Sequence, residues 1–432
     1  MDRRATQVGL AGLSLACTLV LGPLMGGCAR TPTPSPLDRI ALEYVDLANA
    51  LMRLDPQAAS GDTASEGLTG PNSTLAEAND IAEGAADAQR RLDALPAGGI
   101  SGARRRWLRA QLRGVAARAR QQLDGPLSLQ DELLQFYGVS GPSEPERGLL
   151  DDTRQAIDRL LPGSGDAAAR LEAFEADLMV PAPRLPAVFE RALAECRART
   201  AARMSLPPGE SVTVKYVVGE PWSGFSTYHG HGRSVVSVNT SYPLTVDRVL
   251  QLACHEGYPG HHVINVLRDT EAAARPELAA VPLFTPDAYE TEAIATHAAT
   301  LVFDDDARVA FERDVLFPLA GLDPSRAERH VTVARLVERL APAIGAALAR
   351  YLSGDGGFVE ASWQLQQDAL MQHPRATLEF ARLYRGFALA YTGAASPPGG
   401  IASEWLGTAG FPVGPVIISG NGHHSPTSSH GR

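Results

Sequence analysis

Lysine is almost missing from this chain: Lys215 is its single example, and every other permanently basic side chain is arginine. Together with abundant Ala and Gly, that skew reads as a bias of the coding sequence and carries no function. Positive charge is also in the minority, with 39 Lys and Arg against 49 Asp and Glu and a formal net charge of -10. Neutralising a phosphate backbone needs clustered basic residues, so a general nucleic-acid binder is excluded, and the acidic surplus serves solubility. Four cysteines in 432 residues do not make a disulfide framework. The remainder, 44% hydrophobic and 20% charged, is ordinary globular composition, long enough for one large domain or several smaller ones.

Long apolar runs are missing too, with one exception at the start. Met1-Asp2-Arg3-Arg4 precedes a mostly apolar stretch from Val8 to Met25, which ends in Gly26-Gly27-Cys28. A short basic region, an apolar run and small residues before a cleavage point make a secretory signal. A spanning anchor is disfavoured, because the run is at or below the ~20 residues a span needs and contains Pro23. The stretch resembles a bacterial lipoprotein signal, in which the peptidase cuts before a lipid-bearing cysteine, with Met25 where Leu is usual. That resemblance implies a signal peptide over 1–27, lipidation at Cys28, a Pro- and Thr-rich tether over 28–37, and export to a membrane-anchored position facing the periplasm or cell exterior. Cys196 and Cys254 then remain in the mature chain, free to pair or to stay as buried thiols.

Helical spacing of apolar residues dominates the chain beyond the tether, as in Ile40, Tyr44, Leu47, Leu51 and again Leu108, Leu112, Val115. Antiparallel helices are expected over 38–122, with further helices near 128–136, 149–161 and 166–199, broken by Pro162-Gly163-Ser164-Gly165 and Pro181-Ala182-Pro183. The pattern changes between Ser211 and Asn239. Val212, Val214, Tyr216 and Val218 alternate with other residues, and Ser234 to Asn239 is a second strand-like run, with Pro221 to Gly224 and Gly230 to Gly232 bounding the turns. Helices resume from Thr245, and a C-terminal extension over 396–432 ends in Pro, Gly, Ser and His without periodicity.

The chemistry concentrates in His255-Glu256-Gly257-Tyr258-Pro259-Gly260-His261-His262. Thr245 is an N-cap, and Val249, Leu252, Ala253 and Glu256 follow at helical spacing, so His255 and Glu256 sit near the end of a helix. In zinc peptidases a His-Glu-x-x-His helix offers two imidazoles to the metal and a glutamate to take a proton from water. Here the second histidine is displaced. On an unbroken helix His255 and His262 would lie roughly 10 Å apart along the axis, too far for one ion with bonds of about 2 Å. Pro259-Gly260 between them breaks the helix and permits a turn that brings His261 or His262 back beside His255. A third ligand is expected on the helix that starts at Pro286, where Glu292 is preferred to Glu290. His297, about 140° round that helix from Glu292, does not share the metal.

These residues resemble the bacterial domain-of-unknown-function family 885, whose members carry His-Glu-x-x-Pro-Gly-His-His and are placed among candidate zinc metallopeptidases. Pro221-Trp222-Ser223-Gly224, Gly232-Arg233-Ser234 and Asn239-Thr240 are similar to the family's strand before the metal helix. Glu292-Ala293-Ile294-Ala295 resembles its Glu-Gly-x-Ala, with Ala293 in place of Gly, and Ala388-Leu389-Ala390-Tyr391 loosely resembles an Ala-Leu-x-Tyr segment. The resemblance covers about 220–303. It implies Glu292 as ligand and short peptides as substrates.

The expected fold is therefore mainly α: a single large helical domain over 38–395 with a small β-sheet next to a zincin-like metal helix, the core of the metal site lying within about 211–303. The expected cofactor is Zn2+, held by His255, Glu292 and one of His261 and His262, with Glu256 as general base in peptide hydrolysis. Arg233 and Asn239 are candidate substrate contacts on a strand edge to which peptide could add, and Tyr391 is a candidate donor to an oxyanion. A non-catalytic metal-binding envelope lipoprotein and a zinc hydrolase of a non-peptide amide are the alternatives.

Overall fold

The structure is a computed structural model that describes residues 34–59, 75–96, 102–220, 222–392 and 401–411. The expected signal peptide, the lipidation of Cys28, all but the end of the tether and the tail beyond 411 lie outside the described residues. The fold is mainly α with one small sheet, as the patterns predict.

Two hydrophobic cores organise it. The first is built by helices Pro36–Leu54, Leu75–Ala94 and Gly102–Asp124, whose residues Ile40, Tyr44, Ala48 and Leu51 recur at helical spacing and are buried. The Tyr44 ring meets Trp107 edge-on at 5.6 Å, and its hydroxyl donates to Ala280 O at 2.9 Å, tying this core to the later chain. The second core joins helices between Leu150 and Cys196 to the sheet, to the helix Val246–Glu256 and to later helices. Ala402, Leu406 and Phe411 complete it, so the first part of the expected C-terminal extension forms a helix, Ile401–Thr408, packed on the body. The helix Pro286–Thr296 straddles both cores, with Ala288 and Tyr289 in the first and Ile294 in the second.

Strands β1 (Ser211–Val217), β2 (Gly224–Tyr228) and β3 (Arg233–Asn239) form a sheet of order β1-β3-β2. β3 is parallel to β1 and antiparallel to β2. This corrects the expectation that β3 is an edge: the short run Gly224–Tyr228, which reads as connection, pairs along it, so β3 is central and β1 and β2 are the edges. Ser234, Val236 and Val238 point from β3 into the body, as a period of two requires.

The helix Val246–Glu256 is fastened at several points. Thr245 Oγ1 accepts from Arg248 N at 3.4 Å, and Asp247 in the first turn forms a buried ion pair with Arg308. The Asp247 N–H donates to His330 Nε2 at 3.3 Å. Further along, Cys254 is disulfide-bonded to Cys196 of the helix Leu185–Ala201, which resolves the two cysteines as a pair with a Cα separation of 5.5 Å. Among the described residues no helix is long and apolar enough to cross a membrane.

Candidate metal centre

The helix bearing His255 stops at Glu256, and a new one, His261–Glu271, begins five residues later. Between them the Tyr258–Pro259 peptide is cis, and Gly260 N donates back to Cys254 O at 3.1 Å. The chain thus reverses against the end of its own helix. The roughly 9 Å that an unbroken helix would put between His255 and His261 along its axis disappears, and their Nε2 atoms stand 3.2 Å apart.

Glu292 completes a triangle with them. Its Oε1 is 3.2 Å from His255 Nε2 and its Oε2 is 3.4 Å from His261 Nε2. A tetrahedral ion with bonds of about 2.0–2.1 Å holds its ligand atoms roughly 3.3–3.4 Å from one another; the two histidine contacts run to different oxygens of Glu292, and with one ligand atom from each residue the three lie within 4.8 Å of one another, near enough to converge on one ion. The chemistry of the donors agrees, two imidazoles and a carboxylate being a catalytic zinc set. In addition, Glu292 Oε1 is buried and makes no hydrogen bond of good geometry among the described residues, although an imidazole nitrogen lies 3.2 Å away. A cation held between the two imidazoles and this carboxylate would satisfy that oxygen. Burial raises the pKa of Glu292, but His261 and His255 outweigh it and hold the carboxyl well below its usual range. Glu256 adjoins the triangle without belonging to it: its side chain is 7% exposed, with Oε1 4.0 Å from His255 Nε2.

His262 does not join the cluster, which corrects its candidacy as a ligand. Both its ring nitrogens are engaged elsewhere, Nδ1 with Ser234 Oγ at 2.8 Å and Nε2 with Glu210 Oε2 at 2.8 Å. Glu210 also accepts from Tyr258 Oη at 2.6 Å and from Arg197 Nε and Nη2 at 2.9 and 2.6 Å. Burial opposes its ionisation, but the bonds from His262, Tyr258 and Arg197 prevail and lower its pKa to about 2. Burial and the same carboxylate push the Tyr258 phenol up. His262 therefore clamps the first turn of its helix to β3 and to the chain before β1, and this sets the phase at which His261 is presented. Arg197, Glu210 and Ser234 are not legible from the sequence as site residues.

The other candidates divide. Glu290, about 200° round the helix from Glu292, turns away and accepts from Ser403 Oγ at 2.5 Å. Burial first, then Asp287, raises its pKa to about 7. His297 ends the helix outside the cluster, and burial lowers its pKa. Arg233 on β3 alternates with the buried Ser234, faces solvent and does not line the cavity. The polar side-chain atoms of Asn239 are engaged in shaping a turn. Its Nδ2 donates to Glu220 O and Trp222 O at 2.7 and 3.0 Å, and its Oδ1 accepts from Ser241 N and Oγ at 3.1 and 2.7 Å. Tyr391 does stand on the cavity wall.

That cavity, about 1490 Å³, contains His255, Glu256, His261 and Glu292 in its lining. It exceeds the ~300–1,000 Å³ typical of a small-molecule pocket. One side is the free edge of β2. Ser223 O accepts from Asn239 N at 2.9 Å and His229 N donates to Arg233 O at 2.8 Å, so antiparallel alternation directs the backbone groups of Gly224, Ser226 and Tyr228 away from β3. These three residues line the cavity. Among the described residues, Ser226 Oγ is buried without a hydrogen-bond partner.

No family model matches this chain. Nor does any curated protein. Among solved structures it is similar to a chain from Colwellia psychrerythraea described as a candidate lipoprotein, at 15% identity and a TM-score of 0.43, covering 72% of this chain and 58% of that one. It is similar also to a candidate lipoprotein of unknown function from Shewanella oneidensis, at 12% identity and a TM-score of 0.37, covering 83% and 75%. The chain thus spans 58% of the length of the first of these.

Proposed function

We propose that this chain is a zinc-dependent hydrolase of peptides, in line with the resemblance to family 885. The observation that carries the reading is the convergence of His255 Nε2, His261 Nε2 and the Glu292 carboxylate, whose closest contacts are 3.2–3.4 Å, beside the carboxylate of Glu256 on a large cavity. His255, His261 and Glu292 would hold the ion, which supplies a Lewis acid. Glu256 holds the proton of the reaction: its carboxylate accepts it from the attacking water and delivers it to the leaving amine nitrogen. The outward backbone groups of Gly224, Ser226 and Tyr228 favour peptide over other amides, because an extended chain can hydrogen-bond along them.

Export and lipidation at Cys28 belong to the same proposal. The pair Cys196–Cys254 supports it, since structural disulfides persist in oxidising compartments.

The test combines metal analysis with a peptide-library cleavage assay on wild type and Glu256→Gln. One zinc per chain in both proteins is expected, with turnover lowered about 10²- to 10⁴-fold in the variant. Zinc without any Glu256-dependent cleavage would sink the hydrolase reading and leave a metal-binding envelope protein. Cleavage confined to non-peptide amides would sink the peptide assignment alone.

A further inference from the structure

The cavity is not uniformly polar around the cluster. Trp222, two residues before β2, and Phe225 within it stand with ring centroids 6.0 Å apart. A second aromatic group comes from the far end of the chain: Phe380 lies 4.7 Å from Tyr384 and 5.4 Å from Tyr391. All five residues line the same cavity as His255 and Glu292. Phe225, Phe380 and Tyr391 are left 40%, 37% and 39% exposed, as is Leu383 at 53%. Clustered large apolar side chains left open beside a polar centre mark a binding surface rather than ordinary scattered exposure.

Charged side chains near the two aromatic groups are engaged with neighbours, while Arg248, exposed elsewhere on the lining, donates to Gln251 Oε1 at 2.5 Å and Asp269 accepts from Tyr228 Oη at 2.7 Å. Glu379, the acid among the second group, is bonded to Arg375 at 2.8 Å, and Arg268, deeper in the cavity, is bonded to Asp287 and Thr291 at 2.5 and 2.6 Å. An extended peptide hydrogen-bonded along the edge of β2 would turn alternate side chains to opposite faces, within the cavity that both aromatic groups line. Trp222 is itself held in place by Asn239, whose Nδ2 grips the Trp222 carbonyl at 3.0 Å.

We propose that Trp222, Phe225, Phe380 and Tyr391 form a specificity subsite that takes a bulky apolar, preferentially aromatic, side chain of the peptide substrate. The proposal rests on the peptide reading of the site and adds its side-chain class. Neither wall needs the metal, so recognition can be measured apart from cleavage.

The experiment uses the zinc-loaded full chain carrying Glu256→Gln, titrated calorimetrically with N-acetylated, C-amidated tripeptides Gly-Phe-Gly, Gly-Asp-Gly and Gly-Lys-Gly. The Phe peptide is expected to bind at least about tenfold more tightly than the other two, the discrimination an apolar pocket gives a large side chain. Phe380→Ala and, separately, Phe225→Ala on the same background should reduce that preference to about threefold or less, because the partly exposed ring that recognises the side chain is gone. Two wall positions are tested so that a folding defect in one does not decide the matter, and circular dichroism checks both. Equal binding of the three peptides, no binding of the Phe peptide, or a preference untouched in both folded variants overturns the proposal. A Phe preference in a protein whose wild type cleaves nothing supports the subsite and refutes hydrolysis; cleavage without side-chain preference does the reverse.

Discussion

Replacing Gly260 by alanine should cost the protein its metal more surely than its fold. A Cβ built on Gly260 would stand 1.9 Å from the carbonyl oxygen of His255 and 2.6 Å from that of Cys254. Ordinary non-bonded contact is about 3.5 Å, so the turn must retreat by roughly 1.5 Å. The atoms that would clash are backbone and cannot swing aside. His261 is the next residue, and its Nε2 must stay 3.2 Å from His255 Nε2 to share an ion. Metal sites tolerate displacements of about 0.2 Å, far less than the retreat. Zinc affinity of Gly260→Ala should therefore fall by more than the ~10- to 100-fold typical of a lost outer-shell partner. The assay is competition with a chromophoric chelator, with circular dichroism to confirm helix content. Gly148→Ala is the control, since nothing lies within 4 Å of its added Cβ. A folded Gly260→Ala that binds zinc within about threefold of wild type would refute the close-approach reasoning.

Glu210→Gln should leave one zinc per chain but weaken it about 10- to 100-fold, because the carboxylate acts through His262 rather than on the metal; unchanged affinity by the same competition would count against a positioning role. The double variant Cys196→Ala, Cys254→Ala should lose about 4 kcal/mol in urea unfolding, the loop-closure value for a separation of 58 residues, and a loss under about 1 kcal/mol would contradict it. His330 gives a pH dependence. Burial first, then Arg308 and Arg326, lowers its folded pKa from 6.5 to about 3, so the unfolded chain binds the extra proton. Its contribution is full above the unfolded pKa and is lost as pH falls from about 6.5 through 3, roughly 2 kcal/mol of it between pH 7 and 5. His330→Gln should flatten the acid limb of stability by that amount, and parallel limbs in the two proteins would contradict the sign.

Local signals carry a good part of this architecture. Thr245 and the spacing of Val249, Leu252, Ala253 and Glu256 mark the helix Val246–Glu256 because capping and amphipathic period are properties of neighbouring residues. Pro286 marks the next ligand helix for the same reason, and the 200° between Glu290 and Glu292 ensures that only one of them can face the cluster. Features set by distant parts of the chain stay hidden. Neither His261 nor His262 carries a local sign of its role: the phase of their helix is decided by Glu210, 52 residues upstream, and by Ser234. Strand β2 is too short to announce itself, and only its pairing with β3 makes it a strand and moves the sheet edge to the cavity. Asn239 reads as a substrate contact because a turn-forming Asn and a ligand-binding Asn look alike in sequence. The pairing of Cys196 with Cys254 spans 58 residues and is equally silent.

The most direct measurement is anomalous diffraction at the zinc edge from crystals of the zinc-loaded full chain. A single peak about 2.0–2.2 Å from His255 Nε2, His261 Nε2 and a carboxylate oxygen of Glu292, with His262 still bonded to Glu210 and Ser234, is the expected result. A peak coordinated by His262, or no peak at the triangle, would contradict it.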